Sequence, residues 1–319
     1  MAEKASIIGP KQGPLGALRS LSIARLVLAS MRPHQWVKNL FVLAPLLFGK
    51  KLSDPHAVGQ ALLAFACFCS LASSLYLFND VTDASEDRAH PEKRLRPIPS
   101  GALPVWMALM SSGALAFFAF WIAARLDSRF VLLAAVYSMS TLCYCLALKR
   151  AVVLDTMMIA FGFVLRVLGG AIAVEVRPTH WLIACAFLLA LFLAFAKRRQ
   201  ELLTLSDSAA QHRQVLGKYT TGYLDQVNNI LVGATIVCYA LYTVAPETIA
   251  RFGTSILIYG TVFVIYGLLR YMFLLQNPRD GGDPTRLLLK DKPLLVSVFL
   301  WAVYNVVVVY HKSFLSFWQ

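Results

Sequence analysis

Nine apolar stretches divide this chain, and several are long enough to cross a bilayer: about 37–49, 57–78, 103–124, 130–148, 152–174, 180–196, 229–247, 254–275 and 293–310. Backbone in hydrocarbon has to satisfy its own hydrogen bonds, so stretches of this kind fold as helices. The expected class is therefore all-α, a polytopic membrane protein whose nine transmembrane helices pack as a bundle. With 58% hydrophobic and 15% charged residues, the 319-residue chain lies outside the range of soluble globular domains. The net charge of +13 is scattered between the apolar stretches and not gathered on one soluble module. That pattern points to a membrane partner with anionic lipid and away from nucleic acid.

Basic residues also orient the bundle. With the N-terminus inside, one set of connections carries 21 Lys and Arg and the other set 7, with Arg166 and Arg270 left inside apolar stretches. The positive-inside bias then puts the connection after 57–78 in the cytoplasm, as expected for a protein of the inner (cytoplasmic) membrane. Residues 1–30 show no apolar core ahead of a small-residue cleavage site, so they read as a basic, partly amphipathic interfacial segment. Within them Leu18 to Met31 interleaves Arg19 and Arg25 with Leu21, Ile23 and Leu26. Residues 31–319 then form a single transmembrane domain. All six cysteines lie within apolar stretches, where packing is the expected role.

The polar chemistry is concentrated in Asn79 to Gly101, NDVTDASEDRAHPEKRLRPIPSG. On a helix, Asn79, Asp80, Asp83 and Asp87 fall within an arc of roughly 100°, so their oxygens can converge on one point. Like charges oppose that arrangement unless a cation is present. Hard oxygen donors suit Mg²⁺, which binds through one or two carboxylates together with substrate phosphates. Lys93, Arg94 and Arg96 follow at once and can give phosphate oxygens charge-assisted hydrogen bonds. Acid followed by base describes a magnesium diphosphate site, in competition with a merely solvated loop of mixed charge. Its position where an apolar stretch ends favours the site.

Other polar residues are weaker candidates. RPHQWVKN (Arg32 to Asn39) is either an interfacial anchor or a mouth of the site carrying Lys38 and Asn39. In KRRQE, which reads as the start of the loop after 180–196, Lys197 and Glu201 are an i, i+4 pair, and Tyr219 and Asp225 follow. The connection Asn277 to Pro293 reads as a linker or part of a lid. Asp155 and Arg166 share a helix face but stand about 16 Å apart, so Arg166 needs another partner: an acid, a water-filled cavity or a lipid phosphate.

The run NDxxDxxxD with its RPxPSG-type end resembles the first aspartate-rich motif of the UbiA prenyltransferase superfamily. RPHQWVKN and HPEKRLRP resemble its decaprenyl-phosphate phosphoribosyltransferase branch, and the resemblance covers roughly residues 31–310. It implies a nine-helix UbiA-like bundle with a cytoplasmic cap over a central cavity. It also implies Mg²⁺-dependent transfer of 5-phosphoribose from phosphoribosyl diphosphate (PRPP) to a polyprenyl phosphate. The metal positions carry over to Asn79, Asp80, Asp83 and Asp87, with Asp83 and Asp87 as the catalytic carboxylates. Lys93, Arg94, Arg96 and Lys197 are expected on the phosphates of PRPP, Lys38 or Arg166 on the lipid phosphate, and Asn39, Glu201 and Tyr219 beside them. One departure stands out: where the superfamily at large carries a second DxxxD-type motif, this chain has KRRQE, with Glu201 its only acid. The expected partners are PRPP, polyprenyl phosphate and the membrane, with self-association left open. The alternatives are a UbiA-type aromatic prenyltransferase and, from another class, a transporter. A transporter would place polar groups at the midplane of symmetry-related halves.

Overall fold

The computed structural model describes residues 22–89, 93–205, 215–276 and 284–315, and every regular element in them is helical. In chain order these are α1 (Ile23–Met31), a 3₁₀ helix (Pro33–Leu43) leading into α2 (Ala44–Phe48), α3 (Pro55–Thr82), α4 (Ala84–Ala89) and α5 (Val105–Leu126). There follow α6 (Ser128–Leu146), α7 (Leu154–Ala173), α8 (His180–Leu205), α9 (Thr221–Val244), α10 (Pro246–Phe252), α11 (Thr261–Leu275), α12 (Pro284–Lys290) and α13 (Lys292–Leu315). Eight spans among the described residues are long and apolar enough to cross a membrane: α3, α5, α6, α7, α8, α9, α11 with the 3₁₀ turn before it, and α13. The protein is a multi-pass membrane protein.

The stretch expected at 37–49 departs from that pattern. It is built from the 3₁₀ helix and the five-residue α2, not from one α-helix. Eleven residues of 3₁₀ helix is a long run for a geometry usually confined to three or four. Its larger rise per residue makes it longer than an α-helix of the same number of residues. Close packing accompanies it. A Cβ on Gly170 of α7 would run into the carbonyl of Val42, and one on Gly169 would meet the Phe68 ring at 2.6 Å.

The chain divides into two compact units. The described residues within 1–33 and 72–116 form the first, those within 34–71 and 117–319 the second, and α3 and α5 contribute to both. In the first, Leu26, Leu77, Ala84, Ile98, Leu103 and Ala108 form the core. There α3 and α5 meet through small residues, because the Ser74 and Ser112 hydroxyls each donate to the other's backbone carbonyl at 2.9 Å. In the second unit α6, α7, α8 and α9 pack in succession and α11 lies along α13. The α8 helix continues nine residues past its apolar stretch, through Lys197 to Glu201 and on to Leu205, so KRRQE is helical and not a loop. Lys, Arg, Gln, Glu and Leu are all good helix formers, and only the hydropathy changes there. Residues 1–21, 206–214 and 277–283 lie outside the described residues, and with them most of the expected interfacial segment, His90 to Glu92 of HPEKRLRP, and the start of the 277–293 connection.

Candidate active site

The acidic run is nearly one continuous helix. The Asp83 N–H donates to the Asn79 carbonyl at 2.9 Å and the Asp87 N–H to the Asp83 carbonyl at 2.8 Å, which keeps the four residues on consecutive turns across the α3–α4 junction. Their side chains sort into two pairs. Asn79 Nδ2 donates to Asp83 Oδ2 at 3.0 Å. Asp80 and Asp87, both buried, share Arg96, whose Nη1 donates to Asp80 at 3.1 Å and to Asp87 at 2.7 Å. Lys93 Nζ lies 3.6 Å from Asp87. Arg94 is exposed.

Arg32 completes this centre. It caps α1 in the left-handed region (φ 54°, ψ 60°), and its Nη2 reaches Asp80 at 2.5 Å while the guanidinium lies 4.9 Å from the Tyr76 ring centroid. The basic run is fixed in turn by a tight turn. The Ser100 N–H donates to Arg96, the Leu103 N–H to Pro97, and Arg88 Nε to the Pro99 carbonyl at 3.2 Å, with Gly101 at φ 76°, where a side chain would be strained. PIPSG therefore works as a clamp that holds Arg96 against the acids.

The donor set fits a hard divalent cation. All four candidates offer oxygen, and one positively charged nitrogen already stands between the Asp80 and Asp87 carboxylates. The expected convergence on a single point is looser than a metal cage, since no three Asp, Glu, His or Cys side chains among the described residues are gathered for one. Arg96 and Lys93, expected on phosphate, rest on these acids instead.

A second polar centre lies in the second unit, and Arg198 is its hub. The Arg198 side chain is 1% exposed; Nε donates to Asp155 at 2.6 Å, Nη1 to Glu201 at 2.7 Å and Nη2 to the Tyr144 hydroxyl at 3.3 Å. The Tyr219 hydroxyl donates to the other Asp155 oxygen at 2.9 Å and accepts from the Val153 N–H at 2.7 Å. Val153 is a β-branched residue at φ 68°, ψ −46°, a strained tight turn that this bond holds in place. Burial pushes the Tyr219 phenol up to about 12, against the opposing pull of the Val153 N–H. Lys197 sits 3.9 Å from Glu201. Arg199 pairs with Asp225, and its Nη1 joins Gln200 in donating to the Leu275 carbonyl at the end of α11.

Compared with known proteins, residues 40–308 match the UbiA prenyltransferase family. The chain belongs to the UbiA prenyltransferase family. Decaprenyl-phosphate phosphoribosyltransferase of Mycolicibacterium smegmatis is 33% identical to it over 285 residues, 86% of this chain and 89% of that one. The enzyme of the same name from Corynebacterium glutamicum is 33% identical over 294 residues, 91% and 88% of the two chains. Among solved structures, a UbiA homolog from Archaeoglobus fulgidus bound to DMAPP and Mg²⁺ superposes with a TM-score of 0.67 at 18% identity, covering 89% of this chain and 98% of that one.

This UbiA family member holds Arg166 in a way that differs from all three partners considered for it. Nε donates to Asn39 Oδ1 at 2.7 Å, Nη1 to the Gly162 carbonyl at 2.8 Å and Nη2 to the Tyr137 hydroxyl at 2.8 Å, with the Tyr137 and Phe163 rings beside it. All three of these hydrogen-bond partners are neutral. Asn39 is fully buried between Arg166 and the Cys69 sulfur, 3.2 Å away, so it does not stand at the mouth of a site. The pair ties the 3₁₀ helix to α7. Arg198, Asp155 and Tyr144 were not among the expected site residues. The signal for Arg198 was its i, i+3 spacing to Glu201, overlooked beside the Lys197 i, i+4 pair.

Proposed function

We propose that this chain is a Mg²⁺-dependent glycosyltransferase that moves 5-phosphoribose from PRPP to a polyprenyl phosphate of the decaprenyl type and releases diphosphate. Relatives that match it over nearly their whole length, and carry the name of that activity, support the reading. The observation that favours it over aromatic prenyl transfer is Arg198. Its guanidinium takes both Asp155 and Glu201, so the carboxylates of the second centre are spent on a protein cation and not left for a second metal.

In this reaction the anomeric C–O bond of PRPP breaks, its electron pair leaves on diphosphate, and an oxygen of the lipid phosphate bonds to C1. The incoming oxygen is already anionic, so no general base is needed; positioning and charge stabilisation carry the step. Asn79, Asp80, Asp83 and Asp87 would hold Mg²⁺, which when bound neutralises charge on the diphosphate. Arg96 and Lys93 exchange their carboxylate contacts for phosphate oxygens, with Arg94 and Lys197 as further cations and Lys38 as the candidate for the lipid phosphate. Glu201 and Tyr219 position Arg198 and the start of α7. The 21 to 7 split of basic residues supports a cytoplasmic face for this chemistry, at the inner membrane.

Membranes carrying the protein should convert labelled PRPP and a long polyprenyl phosphate to polyprenyl-phosphoryl-phosphoribose and diphosphate. Product from a prenyl diphosphate and a hydroxybenzoate-type acceptor, with none from PRPP, would replace this reading by the aromatic one.

A further inference from the structure

At the end of α8 opposite Arg198, about 27 Å along the helix, a crevice opens in the second unit. Its walls are Pro45, Phe48, Leu182 and Phe252, and Arg177 and Arg251 stand on its lining. The closed part has room for about one water, and the mouth opens to solvent.

Three independent features meet there. Arg177 and Arg251, from different connections, are exposed, and among the described residues neither is held in an ion pair. Lys50 Nζ adds a third cation, 5.5 Å from the Phe252 ring centroid. Thr248 also lines the crevice; it is 1% exposed, and among the described residues its hydroxyl has no hydrogen-bond partner, an expensive state for a buried polar group unless a ligand or water completes it. Finally, Thr179 caps α8 by accepting from the Leu182 N–H at 3.2 Å, which turns the positive end of a 26-residue helix toward the same place. The nearest carboxylates in sequence, Glu175 and Glu247, are exposed and form no ion pair with either arginine among the described residues.

We propose that this crevice binds a phosphate anion. The Arg177 and Arg251 guanidiniums close on its oxygens at the mouth, and the Thr248 hydroxyl donates from the floor through the one water that fits there. The apolar wall of Phe48, Leu182 and Phe252 offers a lipid chain a surface, so an anionic lipid headgroup and free phosphate meet the same chemistry. The site shares no residue with the acidic run, lies at the other end of α8 from the Arg198 centre, and does not depend on the reaction proposed above.

The test is the thermal midpoint of the detergent-purified full chain, titrated with phosphatidylglycerol in mixed micelles, with phosphatidylcholine, and with inorganic phosphate. Phosphatidylglycerol should raise the midpoint and phosphatidylcholine should not. The half-saturating concentration should rise on the order of tenfold in R177Q/R251Q and only a few-fold in R177K/R251K, which keeps the charge. A shift with phosphatidylglycerol alone assigns the lipid headgroup; a shift with inorganic phosphate as well assigns the bare anion; both support the site. An equal phosphatidylglycerol response in wild type and R177Q/R251Q, or no response to either anion, would overturn it.

Discussion

Arg96 joins Asp80 to Asp87, and Arg198 joins Asp155 to Glu201, yet burial is distributed differently in the two centres. In the first the carboxylates are buried and the arginine side chain is 30% exposed. In the second the arginine and Asp155 are both sealed, and only Glu201 reaches solvent. Arg96 can leave its buried acids at lower cost, because Arg32 still reaches Asp80 and Lys93 still lies beside Asp87. A cation in the interior cannot, because leaving strands a buried charge. The same chemical motif is therefore exchangeable in one place and fixed in the other, and the metal and diphosphate proposed above belong to the exchangeable one.

The sharpest way to break this contrast is stability. Arg198→Ala should cost about 3–5 kcal/mol, since it leaves Asp155 buried without its cation, whereas Arg96→Ala should cost less, about 2 kcal/mol, because Arg32 and Lys93 still compensate Asp80 and Asp87. Thermal unfolding in detergent measures both. Equal losses would mean that the two centres do not differ in kind.

Activity should divide the other way. Asp83→Asn and Asp87→Asn should lower turnover about 100-fold or more at limiting magnesium, the order of effect seen when charge stabilisation of a transition state is removed. Their unfolding midpoints should stay near wild type. Full activity in either variant would remove that carboxylate from the site.

A smaller effect separates positioning from substrate contact at Tyr219. Tyr219→Phe deletes the bond to Asp155 and leaves the Val153 N–H unpaired, at a cost of about 1 kcal/mol. Because the folded protein holds the phenol up to about 12 against an ordinary 10.0, its contribution is fully present below pH 10. It is lost as pH rises from there through the folded value, since the unfolded chain gives up its proton first. Wild type should thus lose more stability across that interval than Tyr219→Phe in a pH series of unfolding midpoints. Parallel curves would contradict the assigned environment.

How much of this was legible in the sequence follows from the range of each interaction. The long apolar stretches announced their helices because bilayer thickness sets a length that hydropathy reads directly. The stretch expected at 37–49 is helical, but its 3₁₀ form was not legible because apolar periodicity does not separate 3₁₀ from α geometry over so short a run. The acidic run was readable since Asn79, Asp80, Asp83 and Asp87 are local and helical. Asp155 with Arg198 was not, because 43 residues separate them and their meeting depends on how α7 and α8 are rotated against each other. Arg166 was recognised as needing a partner, and the answer came from Asn39, 127 residues away, through packing that pattern alone does not encode.

The smallest expected effect is at Arg94. Exposed beside two engaged cations, Arg94→Gln should raise the PRPP requirement only a few-fold, as expected of a single surface charge. A larger effect than that of Lys93→Gln would exchange their roles.

The exchangeable character of the Arg96 centre is tested most directly by equilibrium binding of labelled PRPP to purified protein, with and without Mg²⁺, in wild type, Arg96→Gln and Arg198→Lys. Wild type should bind PRPP only with Mg²⁺. Arg96→Gln should weaken that binding about tenfold or more, the order of one charge-assisted phosphate contact, while Arg198→Lys, where it folds, should bind within a few-fold of wild type. Binding that ignores Mg²⁺, or that is unchanged in Arg96→Gln, would contradict the account.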